Sequence, residues 1–168
     1  MHMATEISRL PSTEELPRLA HPTIADGREL WQMARESKTL DLNSPYAYTL
    51  WCRDFAATSV VAHGTGGPCG FIIGYARPSR PDTLFVWQVA VARSHRGQGL
   101  ARRMLGELAT GRRYVEATVT PGNEPSTRLF ESFARERDTA LTRSPIFTED
   151  HFPTPHEPEV LFRIGPLA

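Results

Sequence analysis

The stretch Trp87-Gln88-Val89-Ala90-Val91-Ala92-Arg93-Ser94-His95-Arg96-Gly97-Gln98-Gly99-Leu100-Ala101 drives an apolar strand into two glycines and then straight into a helical pattern. Glycine permits the tight turn and leaves no side chain between backbone and ligand. The helix that follows aims unpaired N–H groups and the positive end of its dipole at whatever sits in the turn. A strand, an Arg-Gly-x-Gly turn and a helix in that order predict a pyrophosphate-binding site. The Lys-Ser/Thr ending that a nucleotide-hydrolase phosphate loop requires is absent. The feature restricts the fold to one in which a sheet strand ends at a helix N-terminus, an α/β architecture.

The rest of the chain supplies that sheet and its helices. A first strand is predicted over 18–24, with Pro22 at its edge. A helix over 25–36 puts Leu30, Trp31 and Ala34 on one side. Ser44-Pro45 is a helix start, serine at the N-cap and proline at the first helical position, and the helix is predicted to run to about Ala57. Strands over 59–63 and 69–77 form a hairpin around Gly64-Thr65-Gly66-Gly67, and 84–91 adds a third strand. After the glycine turn, Leu100, Ala101, Met104, Leu105 and Leu108 share a helix face. Residues 114–120 read as a strand, and Pro121-Gly122-Asn123 opens a helix carrying Leu129, Phe130 and Phe133. A short strand over 140–142, a long loop over 144–158 rich in proline and acid, and a strand over 160–164 complete the pattern. Long loops in compact domains are often functional. The expectation is a flexible segment over 1–17 and one domain over 18–168, a central mixed, mostly antiparallel sheet with helices on both faces.

Bulk composition narrows the function. The 168 residues carry 19 basic and 19 acidic side chains, for a net charge of zero. That argues against nucleic acid as a partner, which needs a basic face. No apolar run reaches membrane-spanning length and the first residues lack a signal-peptide core, so a cytoplasmic location is expected. Cys52 and Cys69 are too few for a disulfide framework or a zinc site and read as free thiols, and no metal is expected.

The order of elements resembles the GNAT acetyltransferases over most of the chain. The resemblance implies the GNAT fold and acetyl-CoA as cosubstrate. Its pyrophosphate would be held by the backbone of residues 94–101, namely Ser94, His95, Arg96, Gly97, Gln98, Gly99, Leu100 and Ala101. Ser94 stands where the family motif usually opens with Gln or Arg. The resemblance also implies that the strand at Val89 and Val91 pairs with the pantetheine arm like an added strand, that Val89 N–H polarises the thioester carbonyl, and that Asn123 touches coenzyme A. A narrower resemblance is carried by Asp41-Leu42-Asn43-Ser44-Pro45-Tyr46-Ala47-Tyr48, Phe85-Val86-Trp87-Gln88-Val89-Ala90-Val91, Pro121-Gly122-Asn123-Glu124-Pro125-Ser126, Glu149-Asp150-His151-Phe152 and His156-Glu157-Pro158-Glu159. In this order the blocks resemble the L-2,4-diaminobutyrate acetyltransferases of ectoine formation. Acetylation of the terminal amine of L-2,4-diaminobutyrate is then implied, with a homodimer as the family's assembly.

An alkyl amine is protonated near neutral pH and must lose its proton before attacking a thioester, so the site needs a base or a desolvating wall. The resemblance points to Asp41, Tyr46, Trp87, Asp150, His156 and Glu159 as the substrate pocket. Taken one at a time, Asp41 reads as a solvated turn residue, Trp87 as core, Asp150 and His156 as loop surface, and Glu159 as an exposed strand end. Within the resemblance, Asp41 and Glu159 bind the ammonium groups, with one of them accepting the proton through water. Tyr46 and Trp87 shape the pocket, Val89 stabilises the developing oxyanion, and His156 is a second choice as base. Many GNAT enzymes place a tyrosine after leucine in the fourth helix to protonate the leaving thiolate. Here the pair is Leu129-Phe130, so that role is vacant or falls to Tyr46, Tyr48 or water. Two other readings stand beside this one: an acceptor that is a different small diamine or diamino acid, and a non-catalytic acetyl-CoA-binding module.

Overall fold

The computed structural model describes residues 15–168, so most of the flexible segment expected over 1–17 lies outside the described residues. In chain order the elements are β1 (Arg18–Ala20), α1 (Gly27–Ser37), α2 (Pro45–Asp54), β2 (Val60–Gly64), β3 (Gly67–Arg77), β4 (Arg80–Val91), α3 (Leu100–Ala109), β5 (Tyr114–Val119), α4 (Glu124–Glu136), β6 (Leu141–Phe147) and β7 (Glu159–Ile164). The strands form one sheet in the order β1-β2-β3-β4-β5-β7-β6. All neighbours are antiparallel except β4 and β5.

Alternation along the strands sends side chains to two cores. Leu84, Val86, Val115, Ala117, Val119, Phe162 and Ile164 face α3 and α4, where Met104, Leu105 and Phe133 meet them. Val61, Phe71, Ile73 and Ala90 face α1 and α2, against Leu30, Tyr48 and Trp51. Each large apolar side chain removed from water this way contributes about 1.5–3 kcal/mol. The helices cover both faces of the sheet, as the pattern implied.

Several boundaries differ from expectation, four of them for a local reason. The first strand ends at Ala20, because Pro22 cannot extend the ladder and Thr23 N–H instead donates to Asp26 Oδ2 at 2.7 Å. That contact caps a 3-10 turn at Ile24–Asp26, and α1 starts only at Gly27. α2 starts as predicted, with the Ser44 hydroxyl accepting from Ala47 N–H at 3.2 Å, but it stops at Asp54 rather than Ala57. The Thr58 hydroxyl reaches the Gly74 carbonyl at 2.7 Å and draws the chain out of the helix toward the sheet. The strand expected over 140–142 continues to Phe147, which shortens the long loop to 148–158. Pro145 is accommodated because β6 is the edge strand, with a bulge between Pro145 and Phe147.

β4 carries the irregularity that matters most. Gln88 pairs with Ile73 and Val86 with Gly74, so Trp87 is an extra residue on β4. Such a bulge bends a strand and increases its twist. Parallel pairing with β5 ends at Val86 and Ala117, and beyond it β4 runs on to Val91 while β5 runs on beside β7. The two strands part into a gap at the bulge.

Candidate active site

Hydrogen-bond parity fixes what lines that gap. Ala92 N–H donates to the Cys69 carbonyl on β3 at 2.8 Å. Alternation and the pairs Phe71 with Ala90 and Ile73 with Gln88 turn the backbone of Ala90 and Gln88 toward β3 as well. The N–H and C=O of Val89 and Val91 therefore face the gap. The Arg96 guanidinium reaches the Val91 carbonyl from that side at 3.0 Å. An extended chain entering the gap would meet Val89 N–H as a strand meets a sheet edge.

β4 then feeds a 3-10 turn at Arg93–His95 and the two glycines. Gly97 and Gly99 adopt φ of 74° and 76°, a conformation costly for other residues, and Gly99 is the N-cap of α3. Ser94, Arg96, Gly97, Gln98 and Gly99 are exposed, whereas the Leu100 side chain is buried in the core and Ala101 is half-buried. Ser94 meets His95 Nδ1 at 2.8 Å and Gln98 Nε2 donates to the Ser94 carbonyl at 3.3 Å, so these side chains brace the turn. A cleft of about 400 Å³ opens beside the end of β4, lined by Lys38, Arg93 and Arg96 together with Glu36. The exposed amides at the N-terminus of α3, with Arg96 beside them, form a cradle for an anionic group. Asn123 is the N-cap of α4, its Oδ1 accepting from Ser126 N–H at 3.2 Å.

On the α1–α2 side of the gap, loops from both ends of the chain converge. Asp41 sits between α1 and α2, its backbone carbonyl held by Gln88 Nε2 at 2.8 Å. Glu159 opens β7, the neighbour of β5 in the sheet, and Thr118 of β5 favours its charged form. Between them stands His156, with Nε2 at 3.6 Å from Asp41 Oδ2 and 3.8 Å from Glu159 Oε1. Its ring stacks on Phe152 with centroids 3.9 Å apart, and its Nδ1 is bonded to the Glu157 carbonyl. A carbonyl accepts only, so Nδ1 carries the proton and neutral His156 presents Nε2 as an acceptor. The Glu157 carbonyl, then the charges of Asp41 and Glu159, raise the His156 pKa above its ordinary value against some loss from burial. Burial raises the Glu159 pKa, helped by the Asp41 and Glu157 charges and opposed by Thr118 and His156.

Of the remaining expected site residues, Trp87 is 48% exposed and packs on Trp51 with centroids 4.5 Å apart, which makes it a wall of this region. Tyr46 is 71% exposed in the first turn of α2. Asp150 is exposed in a 3-10 turn at Glu149–His151 and, among the described residues, makes no hydrogen bond or ion pair with the cluster. Phe130 is buried with its ring near Phe162 and offers no proton, while the buried Tyr48 hydroxyl is committed to Gln88 Oε1 at 2.9 Å. Sequence reasoning missed Gln88 and Thr118. A glutamine amid Trp87, Val89, Ala90 and Val91 was the available signal for Gln88, since an amide in a buried strand requires partners. Thr118 carries no such signal, because threonine is ordinary in strands.

Comparison with known proteins matches residues 24–134 to the acetyltransferase (GNAT) family. L-2,4-diaminobutyric acid acetyltransferases are close in sequence. That of Streptomyces coelicolor is 54% identical over 159 residues, covering 90% of this chain and 94% of the relative. That of Streptomyces avermitilis is 52% identical, covering 90% and 89%. The solved diaminobutyrate acetyltransferase of Paenibacillus lautus, in complex with L-2,4-diaminobutyric acid and coenzyme A, superposes with a TM-score of 0.86 at 42% identity, covering 91% of this chain and 96% of that one. A putative acetyltransferase of Salmonella typhimurium with acetyl-CoA shares the fold at a TM-score of 0.69 and 16% identity, covering 92% and 95%. The chain belongs to the acetyltransferase (GNAT) family and, within it, to the L-2,4-diaminobutyric acid acetyltransferases.

Proposed function

We propose that this protein transfers the acetyl group of acetyl-CoA to the N4 amine of L-2,4-diaminobutyrate, giving N4-acetyl-L-2,4-diaminobutyrate for ectoine formation. One observation carries the reading: two acidic residues flank a histidine beside the gap, Asp41 tied to β4 through Gln88 and Glu159 at the start of β7 next to β5, with His156 Nε2 at 3.6 and 3.8 Å from them. A substrate with two ammonium groups calls for two carboxylates, and the gap beside them is where an acyl carrier would lie.

Acetyl-CoA, when bound, supplies an activated acetyl thioester. The amides of the Gly97–Gly99 turn and the cations beside it hold the phosphates, and Val89 N–H donates to the carbonyl oxygen as negative charge develops there. Losing such a donor typically lowers the rate by about two to three orders of magnitude. Asp41 and Glu159 bind the ammonium groups, and Trp87 and Tyr46 limit water. His156 Nε2 takes the proton from the attacking nitrogen, so that the amine forms the new C–N bond while the C–S bond breaks. Nδ1, held by the Glu157 carbonyl, keeps the ring in the accepting tautomer. With Phe130 in the core and Tyr48 bonded to Gln88, water returns a proton to the thiolate. The exposed Ile146 and Phe147 on the edge strand β6 support pairing of two copies. Among the described residues no helix is long and apolar enough to cross a membrane, and we place the enzyme in the cytoplasm, where its cosubstrate is made.

The test is thiol release from acetyl-CoA with 2,4-diaminobutyrate beside ornithine, lysine and 2,3-diaminopropionate, with the acetylated nitrogen assigned by NMR. The expected outcome is preference for diaminobutyrate at N4. One methylene is worth only about 1–3 kcal/mol of discrimination, so weak turnover of the neighbours is expected as well. Coenzyme A binding without turnover of any of the four would overturn the substrate.

A further inference from the structure

We infer that Gln88 is a positioning residue for the diamine: its buried amide sets the place of the Asp41 loop relative to the strand that presents Val89 N–H. The inference rests on the substrate reading above. Gln88 is 4% exposed, and the bulge at Trp87 turns its side chain to the α1–α2 face. There its Nε2 donates to the Asp41 carbonyl at 2.8 Å and its Oε1 accepts from the Tyr48 hydroxyl at 2.9 Å. Tyr48 is wholly buried, with its ring edge-on to Trp51 at 4.9 Å.

The two bonds define an orientation. The Asp41 carbonyl can only accept, so the NH₂ end of the amide faces it and the oxygen end accepts from the Tyr48 hydroxyl. Within the loop the same carbonyl also accepts from Asn43 Nδ2 at 3.3 Å and Leu40 packs on the core, while Gln88 is the side chain that ties Asp41 to β4. The Asp41 side chain is 91% exposed, and Leu42 and Ser44 are exposed too. The loop between α1 and α2 is thus tied to β4 one residue before Val89. Backbone parity sends Val89 N–H into the gap while the Gln88 side chain reaches the carboxylate-bearing loop. This side chain therefore couples the ammonium anchor to the strand that carries the oxyanion donor.

Steady-state kinetics on Gln88→Leu, Gln88→Glu and Tyr48→Phe, with both substrates varied, test the inference. Gln88→Leu is expected to raise the diaminobutyrate KM about tenfold, the scale of one lost buried hydrogen bond. The acetyl-CoA KM should stay within about twofold of the parent. Gln88→Glu keeps the shape and changes the sign of the contact with pH. A buried carboxyl has a raised pKa, donates to the Asp41 carbonyl while protonated, and opposes it once ionised. The diaminobutyrate KM of Gln88→Glu, relative to the parent at the same pH, should therefore climb as pH rises. Tyr48→Phe removes only the hydroxyl and should raise the same KM about threefold, which keeps the inference testable if Gln88→Leu fails to fold. Both KM values moving together, a ratio for Gln88→Glu that is flat with pH, or a diaminobutyrate KM unchanged in Tyr48→Phe would overturn the positioning role alone. A parent enzyme that does not turn over diaminobutyrate would overturn the substrate reading and this inference with it.

Discussion

A histidine that accepts a proton must be neutral when the amine attacks, and the surroundings of His156 oppose that state. The Glu157 carbonyl bond and the charges of Asp41 and Glu159 raise its pKa, so the free enzyme keeps the ring protonated to higher pH than an ordinary histidine. kcat/KM reports the free enzyme, and its acid limb should have a midpoint above the usual histidine value of about 6.5. Activity falls as pH drops through that midpoint, because the base is then occupied. His156→Gln should remove the limb and lower kcat by about a hundredfold or more. Glu159→Gln removes one charge facing the ring and should move the limb to lower pH; a limb that stays put in both variants would rule His156 out as the base. A diamine bound between the same carboxylates competes with the imidazolium for them, so binding itself favours the neutral ring. Asp41, His156 and Glu159 were legible in the sequence because they occur in distinctive blocks. The distances of 3.6 and 3.8 Å were not, since the three lie on segments far apart in the chain.

At the scale of elements, the glycine turn was legible because glycine, arginine and the apolar strand before them each demand a particular backbone. The bulge on β4 was not, because one extra residue in a strand leaves the run of apolar side chains nearly unchanged. Yet the bulge opens the gap and brings both Trp87 and Gln88 to the α1–α2 face. It depends on Gly74 opposite. A Cβ there would lie 2.8 Å from the Phe85 carbonyl and 3.0 Å from the Thr58 carbonyl, closer than such atoms pack. Gly74→Ala should therefore cost about 1–3 kcal/mol, read as a lower thermal midpoint. Because the strain falls on the bulge, acetyl-CoA binding should weaken alongside stability. By comparison Gly97→Ala meets nothing within 4 Å and carries only the cost of its positive φ. β6 was misjudged for the opposite reason: Pro145 and polar neighbours read as loop, and only an edge position lets such residues serve as strand.

Across the whole molecule, the gap divides the sheet into a half built from β1 to β4 with α1 and α2, and a half built from β5 to β7 with α4. The halves join through four parallel pairs between Thr83 and Val86 of β4 and Tyr114 and Ala117 of β5, and through α3 packed beneath. Within that seam lies Glu116, 2% exposed, bonded to Arg77 of β3 at 3.0 Å and to Arg163 of β7. One buried carboxylate thus ties β3 to β7 across β4 and β5, one residue short of the last β4–β5 pair before the gap. Strands that separate require a firm joint beside the point where they part, or the gap would widen at the expense of the β4–β5 pairs. Glu116→Gln leaves two guanidinium groups facing a neutral amide, and breaking such a buried pairing costs about 3–5 kcal/mol. The expected result is a fall in the thermal midpoint of roughly ten degrees or more. In the proposed binding mode coenzyme A touches both halves from the open side, so saturating ligand should restore part of the loss, by about 2.7 kcal/mol at a hundredfold excess over Kd. A Glu116→Gln protein that melts with the parent would show that the pairs between β4 and β5 hold the halves by themselves.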